Sequence, residues 1–126
     1  MNAIISIGSN CGDRENNILK AIDYIKKIAS IASHSGIYES PDFTGTGKKY
    51  LNCIAEIETP LSFNKQRECF KAFEKECGRT PELKERGEVP VDIDIIVWGN
   101  EILRNKDYNS SYFKAGLALM AGSPKD

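Results

Sequence analysis

Apolar and polar positions alternate at the start of the chain. Ala3, Ile5 and Ile7 share one side, Ile4 and Ser6 the other, and Gly8 ends the run. A period of two predicts a strand, and "GSNCGD" supplies turn residues after it. The period then changes: Ile18, Ala21, Ile22, Ile25 and Ile28 recur at helical steps behind Asp13, a good N-cap. "SHSGIYE", 33–39, predicts a weaker strand. "SPDFTGTGKK", 40–49, predicts a loop, and a structureless stretch of that length in a compact domain is often functional. "YLNCIAEIE", 50–58, alternates again, with Leu51, Cys53, Ala55 and Ile57 opposed to Asn52, Ile54, Glu56 and Glu58.

Pro60 and Ser62 open a second helix whose stripe is Phe63, Phe70, Phe73 and Cys77, with Gly78 suited to the C′ position. The polar segment "RTPELKERGEVP" leads into an apolar strand, "VDIDIIVW". "GNEILRN" predicts a turn and short extension, 107–120 a last helix, and 121–126 a frayed tail. The order β-α-β-β-α-β is the split pattern of a ferredoxin-like α+β fold. Two helices are expected on one face of a four-stranded, mainly antiparallel sheet, and residues 1–126 are expected to form one domain.

The strand "VDIDIIVW" carries two charges. Asp92 and Asp94 point the same way, their Cα atoms about 6.6 Å apart. Like charges so close repel unless a cation lies between them, and paired carboxylates on a rigid strand suit a hard ion such as Mg²⁺. The same spacing also fits two aspartates on a solvated face beside lysines or arginines. Arg79, Lys84, Arg86 and, from the earlier loop, Lys49 are candidate phosphate partners. Glu82, Glu85 and Glu88 lie among them, as a solvated loop would also have it.

Composition narrows the classes. A net charge of −1 argues against bulk electrostatic binding of nucleic acid or an anionic membrane. No apolar run approaches ~20 residues, and "MNAIISIGSN" shows no basic leader, so a cytoplasmic protein is expected. Cys11, Cys53, Cys69 and Cys77 make no C-x-x-C pair, and His34 is the single histidine, which argues for free thiols and against zinc.

"ISIGSNCGDRENNILKAI", "YESPDF", "YLNCIAEIET", "EKECGR" and "VDIDIIVWGNEI" together resemble the 6-hydroxymethyl-7,8-dihydropterin pyrophosphokinase family, over roughly residues 3–103. The resemblance implies pyrophosphoryl transfer from ATP to the pterin hydroxymethyl group, giving AMP, in folate biosynthesis. It implies that Asp92 and Asp94 hold two Mg²⁺ ions and that Tyr50 stacks on the pterin while Asn52 hydrogen-bonds its heteroatoms. Ser40, Pro41 and Phe43 match the loop that reads the pterin edge. Glu74 matches a position near ATP and Arg79 a phosphate contact, with Arg86 and Ile95 completing the ATP side. Loops 8–13, 40–49 and 79–90 would close over the substrates. The 79–90 segment departs from the pattern: Pro81 and Val89 stand where the family carries arginines. A relative that keeps pterin or nucleotide binding without the reaction is the alternative. The expected partners are the small-molecule substrates alone, with a monomer or weak homo-oligomer.

Overall fold

The computed structural model describes residues 1–40 and 49–122. In chain order the elements are β1 (Asn2–Ser9), α1 (Arg14–Ile28), β2 (Ser30–His34), β3 (Tyr38–Ser40), β4 (Tyr50–Glu58), α2 (Phe63–Glu76), α3 (Pro81–Glu85), β5 (Asp92–Trp98), β6 (Glu101–Ile102), α4 (Asn105–Tyr108) and α5 (Ser111–Gly122). Local chemistry accounts for the boundaries. Asp13 accepts from the Asn16 N–H at the start of α1, and Ser62 accepts from the Lys65 N–H at the start of α2. Gly78, at φ 93°, lets the chain leave α2 in a conformation other residues resist.

The sheet is antiparallel and has six strands in the order β2-β4-β1-β5-β6, with β3 also on β4. This corrects the expected four. The strand expected at 33–39 is two short ones, β2 and β3, which share the same edge of β4, and Gly36 turns the chain between them at φ 76°. The short extension after Trp98 pairs with β5 at Val97 and Trp98. The polar 79–90 segment contains α3, capped by Thr80. The last helix divides into α4 and α5, and α5 runs through Gly122 into the expected tail.

Two apolar clusters lie on opposite faces of the sheet. Ala3, Ile5, Ile7, Cys53, Ala55, Ile57, Ile93 and Ile95 pack with Ile18, Ala21 and Ile25 of α1 and Phe70 of α2. This is the expected helix-covered face. The other face is covered too: Ile54, Ile96 and Val97 pack with Phe113 of α5. Gly116 brings α5 very close, since a Cβ there would lie 2.2 Å from Ile54 Cγ1 and 2.6 Å from the Tyr38 hydroxyl. All four cysteines are free thiols. Among the described residues no helix is long and apolar enough to cross a membrane.

Candidate active site

Strand alternation puts Ile93 and Ile95 in the core under α1 and α2, so Asp92 and Asp94 emerge on the opposite face. Across the ladder, Gly8 sits opposite Asp92 and Ser6 opposite Asp94. Neither neighbour brings bulk, so the carboxylates share a shallow, partly exposed position. Their side chains are 28% and 17% exposed.

Charge surrounds the pair. Arg79 donates to Asp92 Oδ1 at 2.6 Å and to Glu74 Oε1 at 2.9 Å. Glu74 is 3% exposed, and its other oxygen accepts the Ile93 N–H at 2.8 Å. That N–H points to the edge of β5 away from β1, so a buried carboxylate does what a neighbouring strand would do. Lys71 donates to both Glu74 oxygens at 3.2 and 3.3 Å, and its Nζ stands 4.0 Å from Asp94 Oδ1. Arg104 Nη1 stands 3.7 Å from the same oxygen, while its Nε donates to Asp107 at 2.8 Å. Tyr112 donates to the other Asp107 oxygen at 2.9 Å.

This crowding decides the ionisation. Burial pushes the Asp94 carboxyl up to about 8, reinforced by the hydrogen bond to Asp92 and by the charge of Asp92. Burial opposes the Asp92 charge as well. There the hydrogen bond with Asp94 and the Arg79 guanidinium outweigh it and hold Asp92 below the usual range. The two carboxyls therefore resist ionising together. The four carboxylates Glu74, Asp92, Asp94 and Asp107 face the three cations Lys71, Arg79 and Arg104, an excess of one acidic group. Burial also raises Glu74, against the Ile93 N–H, Lys71 and Arg79.

Two carboxyls on one face of a strand, close enough to repel each other, mark a place where a hard cation would fit. Among the described residues no group of three or more His, Cys, Asp and Glu side chains forms a closed metal cage. Two carboxylates with the remaining positions open is the donor set that Mg²⁺ accepts, since it keeps water and substrate phosphates as its other ligands.

Other expected site residues fall into place unevenly. Tyr50 lies over Gly8, its ring 3.3 Å from where a Cβ would project, so the glycine makes room for an aromatic platform. Asn52 shares the side of its strand that carries Glu56 and Glu58. It is 4% exposed, and its amide donates to Ser40 Oγ at 2.6 Å. Ile95 is buried and lines a cavity of about 230 Å³ along the open edge of β5, with Phe63, Arg67, Phe70, Lys71, Ile93, Asp94, Leu103 and Arg104. Arg86 is not brought to the pair: it is exposed, with its guanidinium 3.6 Å from Glu88. Lys49 pairs with Glu39 at 3.8 Å. Pro41 and Phe43 lie outside the described residues.

Sequence reasoning missed Lys71, Arg104 and Asn10. Arg67, Lys71 and Glu74 follow helical spacing and so share a face, a signal that was available. Arg104 reaches Asp94 only because the β5–β6 hairpin returns it there. Asn10 fastens the 79–90 segment: its backbone N–H donates to the Val89 carbonyl at 3.0 Å, its side-chain amide donates to the Gly87 carbonyl at 2.7 Å, and its Oδ1 accepts the Val89 N–H at 2.5 Å. Arg14 does similar work between the ends of 41–48, donating to Glu39 at 3.3 Å and to the Lys49 carbonyl at 2.9 Å.

Residues 4–120 match the family model for 7,8-dihydro-6-hydroxymethylpterin-pyrophosphokinase. A 2-amino-4-hydroxy-6-hydroxymethyldihydropteridine pyrophosphokinase of Aquifex aeolicus is 36% identical over 104 residues, covering 81% of this chain and 64% of that protein. The enzyme of the same name from Haemophilus influenzae is 33% identical over 107 residues, covering 82% of this chain and 66% of that protein. A mitochondrial folate synthesis bifunctional protein of Pisum sativum is 31% identical over 104 residues, covering 81% and 20% respectively. The chain thus spans just under two thirds of the two single-function relatives. With a match that runs through both the aspartate strand and the strand bearing Tyr50 and Asn52, this chain belongs to the 7,8-dihydro-6-hydroxymethylpterin-pyrophosphokinase family.

Proposed function

We propose that the chain transfers the terminal pyrophosphoryl group of ATP to the hydroxymethyl oxygen of 6-hydroxymethyl-7,8-dihydropterin, in folate biosynthesis. The pterin hydroxymethyl oxygen loses its proton and bonds to the β-phosphorus, while the bond from the β-phosphorus to the α,β-bridging oxygen breaks and that oxygen leaves on AMP. The reading makes the protein a cytoplasmic enzyme of small molecules. The observation that carries it is the Asp92–Asp94 pair, hydrogen-bonded together on the sheet face away from α1 and α2 and beside a cation-lined cavity.

Asp92 and Asp94 would hold two Mg²⁺ ions, which would neutralise phosphate charge and align the reacting oxygens. The chain's own residues do the rest. Tyr50 offers the pterin a flat surface over Gly8. Ser40 and Asn52, locked together, fix the strand edge beside Tyr50, and Pro41 and Phe43, next in sequence, would read the pterin edge. Glu74 aims Arg79 at Asp92, where an incoming phosphate would find it. Asn10 keeps Gly87 and Val89 close to the β1–α1 turn, so that loops 8–13 and 79–90 can shield the phosphates from water.

The test is AMP formation from ATP and 6-hydroxymethyl-7,8-dihydropterin with Mg²⁺, beside Asp92→Ala. Wild type should form AMP only when pterin is present, and the variant should be slower by roughly 10²-fold or more, as when a charge-stabilising group is removed from a reacting centre. Equal rates from the two proteins would refute the assignment of the aspartates. Binding of both substrates with no AMP from wild type would identify a pterin- and nucleotide-binding module instead.

A further inference from the structure

We infer that Lys71 and Arg104 join Arg79 as polyphosphate-binding cations of this site, both leaning on Asp94 until a divalent ion takes that carboxylate, whereupon they turn to the phosphate. The inference rests on the pyrophosphokinase reading above.

The two cations come from opposite walls of the cavity at the edge of β5, Lys71 from α2 and Arg104 from the residue before α4. Both face a single atom, Asp94 Oδ1, at 4.0 and 3.7 Å. Charge-assisted contacts that are firmly made measure about 2.7–2.9 Å, so these are loose. The side chains are 40% and 48% exposed and keep room to turn. Arg67, one helical turn before Lys71, lines the same cavity, whose apolar wall includes Phe70, Ile95 and Leu103. Of the cations that the sequence offered to phosphate, Arg79 stands on the Asp92 side of the pair, Arg86 faces Glu88 and Lys49 faces Glu39, so none of these three serves the Asp94 side.

A divalent ion on Asp94 would repel both cations from its oxygen. A metal-bound polyphosphate entering the cavity would offer them a new partner within the reach of their side chains. Lys71 and Arg104 therefore compete with the metal when it arrives alone and assist it when it arrives with phosphate. Opposite signs for two affinities distinguish this exchange from a merely structural role, which would shift both affinities the same way.

The experiment uses Lys71→Gln and Arg104→Gln. Mn²⁺ binding without nucleotide is read from the free-ion electron paramagnetic resonance signal, and MgATP binding by titration calorimetry. Each variant should bind Mn²⁺ about twofold to fivefold more tightly, as loss of an exposed ion pair allows. Each should bind MgATP at least about tenfold more weakly, as loss of a charged phosphate contact requires. Arg104→Gln also loses the contact to Asp107 and Lys71→Gln the contacts to Glu74, so the same opposite shifts from both variants, which share only Asp94, carry the test. Affinities that fall together, or MgATP binding that survives both substitutions, would overturn this inference alone. Wild type that binds Mn²⁺ and no nucleotide would overturn the pyrophosphokinase reading together with it.

Discussion

Replacing Glu74 by glutamine tests how the aspartate strand is held. The exchange keeps the shape and removes the charge. Oε1 of Glu74 accepts from Arg79 and Lys71, and Oε2 accepts from the Ile93 N–H and Lys71. A glutamine has one oxygen. Turned one way, its amide N–H₂ meets Arg79; turned the other, it meets the Ile93 N–H. Either orientation sets donor against donor at a buried point. Losing a hydrogen bond to a charged group and leaving a buried donor without an acceptor costs about 3–5 kcal/mol. Relief from burying the Glu74 charge, the leading cause of its raised pKa, offsets about 1 kcal/mol. A net loss of about 2–4 kcal/mol should appear in urea unfolding, with a fall in Tm of roughly 10 °C at this chain length. Hydrogen exchange at the Ile93 amide should accelerate well beyond that of Ile5 and Ile7. A loss below ~1 kcal/mol, with Ile93 still protected, would refute the claim that Glu74 closes the edge of β5.

Gly116→Ala should destabilise by about 1–3 kcal/mol, although alanine is the better helix former by about 1 kcal/mol, because the new methyl would overlap Ile54 and the Tyr38 hydroxyl that donates to the Tyr112 carbonyl. A rise in Tm would contradict that packing. In an alkaline titration followed at 295 nm, Tyr24 should ionise near 12, raised by burial and by its contact with Cys69, and the more deeply buried Tyr38 and Tyr112 later still. Because these folded values lie above the ordinary phenol value of ~10, their contribution to stability is intact below pH 10 and is lost as pH rises through 12. Ionisation of all five tyrosines together near pH 10, with the circular dichroism still native, would contradict it.

The parts of the fold that periodicity could reach were legible. Ile18, Ala21 and Ile25 face the sheet as their spacing required, and Asp13, Ser62 and Gly78 bound their helices. Alternation alone put Ile93 and Ile95 inward and the aspartates outward. What failed depended on distant partners. The burial of Asn52 was not legible, because nothing in its own strand announces that β3 and α5 cover that face. The edge strands β2 and β3 are too short for a clear period, and β6 is set by its hairpin. Val89 drew attention as a missing cation, yet its backbone is what Asn10 grips, a role open to most side chains. Arg104 was passed over because its neighbour in space, Asp94, lies across a turn that sequence spacing does not show.

One irregularity in the ladder has a wider consequence. The pairing of β1 with β5 shifts between Ile4 and Ile5: Ile4 meets Val97 and Ile5 meets Ile95, leaving Ile96 as an extra residue. Ile96 and Val97 consequently pack together on the α5 side, while Trp98 returns to the α2 side and meets the Phe63 ring edge-on at 5.5 Å. The extra residue works as a phase setter, letting the two ends of one strand keep different parities. Chain length at this point, more than the identity of any side chain, decides which side of the sheet owns the charge. A substitution at Ile96 alters packing. A deletion there would force a choice between turning Trp98 away from Phe63 and turning both aspartates into the core.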